Sequence, residues 1–196
     1  MLNIHTLTLG AYGTNCYIVH DSASKTCCVI DPGYTPEKVL DEVSDLGLTV
    51  EAILLTHGHF DHVGGVKEIA AETGCDVYLC ADELTLPPQI TAGQLYYTKT
   101  YGEGDTLHLA GLTISVIRTP GHTPGSVCLL IGDAMFSGDT LFAGSCGRTD
   151  FPGGSDAGMR ASLRRLAGLS TDYRVYPGHG MDTTLAEEKR YNPYLR

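Results

Sequence analysis

The segment T-H-G-H-F-D-H, residues 56–62, most strongly constrains how this chain can fold. It places four metal-binding side chains in one short loop: His57, His59, Asp61 and His62. Imidazole and carboxylate groups are typical ligands of zinc and its first-row neighbours. The alternative is a pair of solvated histidines followed by Asp61 as a helix N-cap. The density of ligands favours a metal site, which the rest of the chain must surround.

This loop lies between a predicted strand and a predicted helix. Residues 52–55 form an apolar run, and Val66, Ile69 and Ala70 follow at helical spacing before Gly74. Residues 82–104 are weakly patterned and predict a short helix and a flexible loop. Further strands are predicted at residues 3–9, 15–20, 26–30, 75–80, 106–109, 112–117, 127–131, 134–136 and 173–176, and further helices at residues 36–47, 159–166 and 182–191.

The order of these elements is typical of an α/β protein. Strands with a few helices are followed by strands with a helix, so two sheets with helices outside are the natural packing. The length of 196 residues is enough for one domain, and we expect a single domain over residues 1–196.

Composition and charge exclude several classes of partner. The formal charge of -10 disfavours binding to nucleic acid, which is normally met by a basic surface. The sequence has no apolar run of membrane-spanning length and no signal-peptide pattern at its start, so we expect a cytoplasmic protein with no membrane partner. The seven cysteines are odd in number. Six of them fall in apolar runs and are expected to be buried thiols, whereas Cys146 lies in a glycine-rich loop.

Three more candidate ligands follow predicted strands and stand beside glycine: His122 in T-P-G-H-T-P-G, Asp139 in F-S-G-D-T and His179 in Y-P-G-H-G. Each alone is compatible with an ordinary turn residue. Taken with the first loop they indicate a shared centre, because strand ends commonly converge on one edge of a sheet. The other histidines, His5, His20 and His108, lie in strand patterns and are expected to be structural.

Seven ligands exceed the needs of one four-coordinate zinc ion but suit two metal ions that share a bridge. Asp139 is the best candidate for the bridge, because a carboxylate has two oxygens. Two divalent ions about 3.5–4 Å apart can hold a hydroxide between them at neutral pH. We expect zinc first, and iron or manganese are compatible with the same donors.

These motifs resemble the metallo-β-lactamase superfamily, and within it the short hydroxyacylglutathione hydrolase (glyoxalase II)-like proteins. The resemblance runs through nearly the whole chain and implies a four-layered αβ/βα sandwich. By this resemblance His57, His59 and His122 bind one metal ion, Asp61, His62 and His179 bind the other, and Asp139 bridges them. Asp31 is similar to an aspartate that orients a ligand histidine in the family, although a simple turn role is equally compatible with the sequence.

Departures from the patterns of other subfamilies narrow the function. Asp139 stands where common β-lactamases have a cysteine or no ligand, and His59 stands where flavodiiron proteins have a glutamate. The segment G-S-C-G-R-T-D-F, residues 144–151, resembles a loop of both glyoxalase II-like hydrolases and persulfide dioxygenases. Arg148 in this loop is a candidate for binding a substrate carboxylate, with a solvated or structural arginine as the alternative.

The ligand pattern predicts a dinuclear metal-dependent hydrolase that uses metal-bound hydroxide, and the resemblance implies that its substrates are small-molecule thioesters of the S-lactoylglutathione type. Asp61 is expected to have a catalytic role by steadying the hydroxide proton. Few residues follow His179, which places glutathione as the carrier thiol in doubt. The alternative is a mononuclear iron persulfide dioxygenase that uses His57, His122 and Asp139. The segment P-G-H at residues 177–179, where those dioxygenases have P-A-H, favours hydrolysis.

Overall fold

Two six-stranded β-sheets form the centre of the protein, which is described here over residues 1–195 by a computed structural model. The first sheet has its strands in sequence order across the sheet. Its strands are β1 (Leu2–Leu9), β2 (Thr14–Asp21), β3 (Thr26–Ile30), β4 (Thr49–Leu54), β5 (Asp76–Cys80) and β6 (Lys99–Tyr101). Strands β1 to β3 pair antiparallel, and β3 to β6 pair parallel.

The second sheet is mostly antiparallel, apart from the parallel pair formed by its fourth and fifth strands along the chain. Its strands are β7 (Thr106–Leu109), β8 (Leu112–Arg118), β9 (Val127–Ile131), β10 (Ala134–Gly138), β13 (Arg174–Pro177) and β14 (Thr183–Thr184), arranged as β14-β13-β10-β9-β8-β7. Between β10 and β13 a small separate hairpin contains β11 (Leu141–Phe142) and β12 (Ser145–Cys146).

Five α-helices accompany the sheets in the described part of the chain. They are α1 (Pro36–Asp45), α2 (Phe60–Val63), α3 (Val66–Thr73), α4 (Asp156–Ala167) and α5 (Leu185–Tyr191), and one turn of 3-10 helix covers Ala81–Thr85. Within residues 1–195 no helix is both long and apolar enough to cross a membrane.

Three apolar clusters hold the layers together. Between the sheets, Ile30 and Leu54 of the first sheet pack with Ile114 and Phe136 of the second, and all four are fully buried. A second cluster joins the outer face of the first sheet to α1 and α3, and a third joins the outer face of the second sheet to α4 and α5. The order of layers is helix, sheet, sheet, helix, so the predicted four-layered αβ/βα sandwich is confirmed.

Several details differ from the sequence prediction. Residues 82–104, expected to hold only a short helix and a loop, also contribute the edge strand β6, which has only three residues and too little apolar pattern to be detected. The hairpin of β11 and β12 was not predicted, because each strand has two residues. The last helix begins at Leu185 instead of residue 182, since Thr183 and Thr184 form β14 and the Thr184 hydroxyl caps the helix by accepting a hydrogen bond from Glu187 N.

The predicted burial of the cysteines is confirmed. Six of them are buried free thiols: Cys16, Cys27, Cys28, Cys75, Cys80 and Cys128. Cys146, on β12, is partly exposed.

Candidate metal centre

The loop after β4 carries the first group of candidate ligands. Thr56 fixes its start, because the Thr56 backbone N–H and hydroxyl both donate to the carboxylate of Asp31, at 2.7 and 2.5 Å. His57 and His59 follow, and the short helix α2 then brings Asp61 and His62 inward. All four side chains are buried, although none is apolar. The strand-to-helix turn predicted from the sequence is thus confirmed as a buried polar loop.

The first cluster contains His57, His59 and His122, whose candidate ligand atoms lie within 4.8 Å of one another. His59 Nδ1 lies 2.8 Å from His122 Nε2. The rings of His57 and His122 have centroids 4.9 Å apart. His122 Nδ1 is 2.7 Å from the carbonyl oxygen of Arg148, which can only accept, so Nδ1 carries the proton and Nε2 presents its lone pair to the cluster.

The second cluster contains Asp61, His62 and His179, and its candidate ligand atoms also lie within 4.8 Å of one another. Asp61 Oδ2 is 3.2 Å from His179 Nε2 and 3.7 Å from His62 Nε2. The two imidazole nitrogens are 3.3 Å apart. Thr14, at the start of β2, donates its hydroxyl to Asp61 Oδ2 at 3.1 Å, which holds the carboxylate in place.

Asp139 lies between the two clusters. Its Oδ2 is 3.4 Å from His122 Nε2 of the first cluster, and its Oδ1 is 3.4 Å from His62 Nε2 of the second. The space around this carboxylate is tight: a Cβ at Gly178 would lie 2.2 Å from Asp139 Oδ1. Only glycine leaves room for this approach, which explains the glycine before His179.

Buried polar atoms without hydrogen-bond partners mark the centre as a place for cations. Within residues 1–195 they include His57 Nε2, His59 Nε2 and Asp139 Oδ1. Leaving a buried acceptor unpaired costs about 1–3 kcal/mol, so three of them together need an explanation. Metal ions fit, since each of these atoms has a free lone pair and all belong to side chains that suit zinc, iron or manganese.

Burial and neighbouring charges shift the pKa values of these side chains in different directions. Burial, with the nearby imidazoles, lowers the pKa of His57, and it lowers the pKa of His59 to about 4. Burial also lowers the pKa of His122. The first cluster is therefore neutral at pH 7, which is the form in which imidazole binds metal ions.

The second cluster is more strongly influenced by carboxylates. Burial opposes the charged form of His62, but Asp139 and Asp31 outweigh it and raise the His62 pKa to about 9. Burial also opposes ionisation of Asp61, but hydrogen bonding to His179 and the charge of His62 bring the Asp61 pKa well below its usual range. The ionised form of Asp61 is thus stabilised by the positive charge of neighbouring histidines. A bound metal cation would stabilise it in the same way.

Asp31 orients His62. Asp31 Oδ2 is 3.0 Å from His62 Nδ1, while the Thr56 bonds described above engage both of its oxygens. Its ligand atom falls within 4.8 Å of those of His57 and His62. Because its oxygens are already occupied by donors, we interpret Asp31 as a residue that fixes the orientation of His62. The turn role left open by the sequence is also observed, since Asp31 adopts a left-handed backbone conformation with φ 50°.

Glu83 was not identified from the sequence and is fully buried beside the first cluster. It accepts hydrogen bonds from Gly58 N at 2.5 Å and from Gly125 N at 2.6 Å. Gly58 lies between His57 and His59, and Gly125 lies in the loop of His122. One carboxylate therefore joins the two loops that supply the first cluster. No local pattern reveals this, because A-D-E-L-T is an ordinary helix-start sequence.

The clusters open into a cavity of about 640 Å³. Four aromatic residues line it together with His59, Asp61, His122, Asp139 and His179: Tyr12, Phe60, Phe142 and Phe151. Arg148 lies on the cavity wall, but its guanidinium binds the carboxylate of Asp150 through Nε and Nη2, both at 2.7 Å. The proposed carboxylate-binding residue is thus near the centre and already has an anionic partner.

The three other histidines lie apart from the centre. His5 and His20 stack with ring centroids 5.9 Å apart, and His108 Nδ1 is 3.3 Å from the Thr113 hydroxyl. They are absent from the clusters of candidate metal ligands found in the described residues.

The chain is similar in sequence to proteins of one large superfamily. The sequence profile of the metallo-beta-lactamase superfamily matches residues 9–179. Hydroxyacylglutathione hydrolase GloC of Haemophilus influenzae is 33% identical, and the match covers 99% of this chain and 98% of that protein.

Two solved structures are also similar over nearly their whole length. BLEG-1 B3 metallo-beta-lactamase is 32% identical with a TM-score of 0.91, covering 100% of this chain and 99% of that one. TTHA1623 in a di-iron-bound form is 38% identical with a TM-score of 0.88, covering 97% and 100%.

Proposed function

The chain belongs to the metallo-β-lactamase superfamily, and we propose that within it this protein is a dinuclear metal-dependent hydrolase that cleaves thioesters of the S-lactoylglutathione type. The observation that carries the proposal is Asp139, which lies 3.4 Å from a histidine nitrogen of each cluster. A carboxylate in that position would be able to contact two metal ions at once.

We assign the ligands as two sets joined by a bridge. His57, His59 and His122 would hold one ion, Asp61, His62 and His179 the other, and Asp139 would contact both. We propose zinc as the resident metal, and the similar TTHA1623 structure in its di-iron-bound form supports iron as the alternative. Two such ions would supply a hydroxide nucleophile at neutral pH, by lowering the pKa of water from 15.7 toward about 7, and would stabilise negative charge on the carbonyl oxygen.

Asp61 is our candidate for the residue that orients the nucleophile. Its carboxylate is held by the Thr14 hydroxyl and remains ionised because the Asp61 pKa lies below its usual range. An ionised oxygen beside the reacting carbonyl can accept a hydrogen bond from the attacking water and keep its lone pair directed at the carbon.

The rest of the cavity orients the thioester. We propose that the thiol portion lies toward Arg148, where the guanidinium can exchange its partner Asp150 for a substrate carboxylate. The name of the Haemophilus influenzae relative, hydroxyacylglutathione hydrolase, supports a thioester substrate. Identity of 33% supports the class of reaction more strongly than the particular thiol.

A second candidate function is persulfide dioxygenation at a single iron ion. It rests on the segment 144–151, which resembles the corresponding loop of persulfide dioxygenases, and on the two histidines and one carboxylate of His57, His122 and Asp139. In that group His122 Nε2 is 3.4 Å from Asp139 Oδ2. Two histidines and one carboxylate are the ligand set of many non-haem iron oxygenases.

One pair of assays separates the two candidates. Purified protein loaded with zinc, and separately with iron, is given S-lactoylglutathione while thiol release is followed, and then glutathione persulfide while oxygen is followed with an electrode. We expect thiol release with no oxygen uptake. Oxygen uptake on persulfide, without thiol release from the thioester, would establish the dioxygenase instead.

A further inference from the structure

The cavity above the metal centre has an aromatic wall that the proposed reaction leaves unexplained. Tyr12 lies on the turn between β1 and β2, and its side chain is 61% exposed. Its ring meets Phe60 edge to face at a centroid distance of 5.0 Å, and Phe142 lies against His179 at 6.3 Å. Phe60 and Phe142 are partly exposed. Aromatic rings that are grouped around a cavity and open to solvent are typical of a surface that binds an apolar ligand.

These three rings lie on the side of the cavity beside the second cluster. Phe60 directly precedes Asp61, and Phe142 contacts the His179 ring, so both border the second cluster. The turn of Tyr12 is tied to the same side, because Thr14 binds Asp61 and Asn15 donates to the carbonyl oxygen of Gly180 at 2.9 Å. We call Tyr12, Phe60 and Phe142 the aromatic wall.

The side of the cavity beside the first cluster carries charged groups. Phe151 lies beside His59 of the first cluster, at a centroid distance of 5.7 Å, and the Arg148 guanidinium stacks on its ring at 3.9 Å. Arg148 and Asp150 add charged and hydrogen-bonding groups on that side. A thioester carbonyl placed at the metal centre would therefore have a polar side and an apolar side for its two substituents.

We propose that the acyl group of the substrate is a hydrocarbon chain of about four to eight carbons, bound by the aromatic wall, while the thiol portion lies toward Arg148. This inference rests on the proposed thioester hydrolysis and goes beyond it by naming the acyl class. A lactoyl group would cover the three rings only in part, so its thioester is expected to be cleaved more slowly than that of a longer acyl group. When a longer alkyl chain binds, the apolar surfaces of both the chain and the three rings are removed from water.

A chain-length series tests the proposal. Acetyl, butanoyl, hexanoyl and octanoyl thioesters of one neutral thiol, N-acetylcysteamine, are compared by kcat/KM with the metal-loaded protein. Burial of each added CH₂ corresponds to a rise of up to about fourfold. We expect octanoyl to exceed acetyl by at least about tenfold, and the variant Tyr12→Ala to reduce this ratio by about fivefold or more.

Tyr191→Ala is the matched control. Tyr191 is 61% exposed like Tyr12, but it lies at the end of α5 and does not line the cavity. This variant should leave the octanoyl to acetyl ratio unchanged. Equal kcat/KM across the series, or a ratio that Tyr12→Ala does not alter, would overturn the proposed acyl class while leaving thioester hydrolysis intact.

A binding measurement keeps the proposal testable if no thioester is cleaved. The stable thioethers S-ethyl and S-octyl N-acetylcysteamine are titrated calorimetrically into the metal-loaded protein. Tighter binding of the octyl compound, weakened in Tyr12→Ala, would support an alkyl site even though the proposed reaction had failed. Equal affinity for both compounds would contradict the alkyl site itself.

Discussion

Asp139 is the residue on which the two halves of the proposed centre depend. It is the residue whose carboxylate faces a histidine of both clusters, and one of its oxygens is buried without a hydrogen-bond partner. Gly178 and Gly147 leave space for it, since a Cβ at either would overlap Asp139 atoms. A change of this side chain should therefore affect both metal ions, unlike a change of any single histidine.

Replacing Asp139 by Asn should remove the charge and one metal-binding oxygen with little change of volume. We expect the metal content to fall from about two ions per chain to one or fewer, and the thioester kcat to fall by about a hundredfold or more. Elemental analysis and a thiol-release assay measure these effects. Asp133→Asn, in the exposed turn before β10, is the control and should change neither value. Two bound ions and full activity in Asp139→Asn would exclude a bridging role.

The sequence reveals these residues for a physical reason. Only a few side-chain types bind metal ions, and here they lie next to glycine at the ends of strands. Such positions form short recognisable motifs. Tyr12 and Thr14 follow a different rule: their roles depend on which distant residues the fold brings beside them. Thr14 contacts Asp61 across 47 positions of sequence, and no local pattern encodes such a contact.

At the scale of elements, the loops that hold the centre are fixed by buried carboxylates. Asp31, after β3, binds Thr56 and His62 and so sets the loop after β4. Glu83, after β5, binds Gly58 and Gly125 and so fixes the distance between that loop and the loop after β8. The strands β3 and β5 lie on either side of β4 in the first sheet. The carboxylates that follow β3 and β5 therefore hold the ligand loop that follows β4, and Glu83 also holds the loop of His122 from the second sheet.

The substitution Glu83→Gln tests this arrangement. A glutamine presents one acceptor and one donor to two backbone N–H groups, so one of the two hydrogen bonds must be lost. We expect the affinity for the first of the two metal ions, at His57, His59 and His122, to fall about 10- to 100-fold, while the second site is nearly unchanged. Competition with a coloured chelator, which resolves two affinities, measures the effect.

Glu68→Gln is the control for that experiment, because Glu68 is an exposed carboxylate in the first turn of α3. It should leave both affinities unchanged. A merely structural role of Glu83 would lower the thermal midpoint and weaken both sites alike. Such a result, or unchanged binding at both sites, would contradict the selective role assigned to this residue.

Long elements were predictable and short ones were not. The helices α1, α3 and α4 are predicted by apolar residues at helical spacing. The same apolar residues pack against the sheets, and Val39, Ile69 and Leu163 are all buried. The strand β6 and the hairpin of β11 and β12 contain two or three residues each, so their pairing is decided by the neighbouring strands. The hairpin matters for function, since it carries Phe142 and Cys146 on the cavity wall.

At the scale of the whole molecule, the candidate centre lies where the two sheets meet. The loop of residues 56–62 comes from the first sheet, whereas His122, Asp139 and His179 follow β8, β10 and β13 of the second. The sheets share the apolar core described above, and the isolated bridge between Thr14 and His179 joins them at the centre. Because neither half holds a complete set of ligands, we propose that residues 1–196 act as one domain.

The layer architecture was predictable because it follows from the order of strands and helices together with the burial of their apolar faces. The meeting of strand ends at one edge was predictable from the motifs alone. The shape of the cavity was not, since the aromatic wall is assembled from the turn after β1, from α2 and from β11. The proposed acyl preference therefore depends on the part of the molecule that sequence patterns describe least.

A metal titration with two simultaneous readouts tests the central claim most directly. Metal-free protein receives zinc in steps, while bound metal is counted by elemental analysis and thioester cleavage is measured on the same samples. We predict that cleavage reaches its plateau at about two ions per chain and that no oxygen is consumed. A plateau at one ion per chain, or two bound ions with no cleavage of any thioester in the acyl series, would contradict a dinuclear thioester hydrolase.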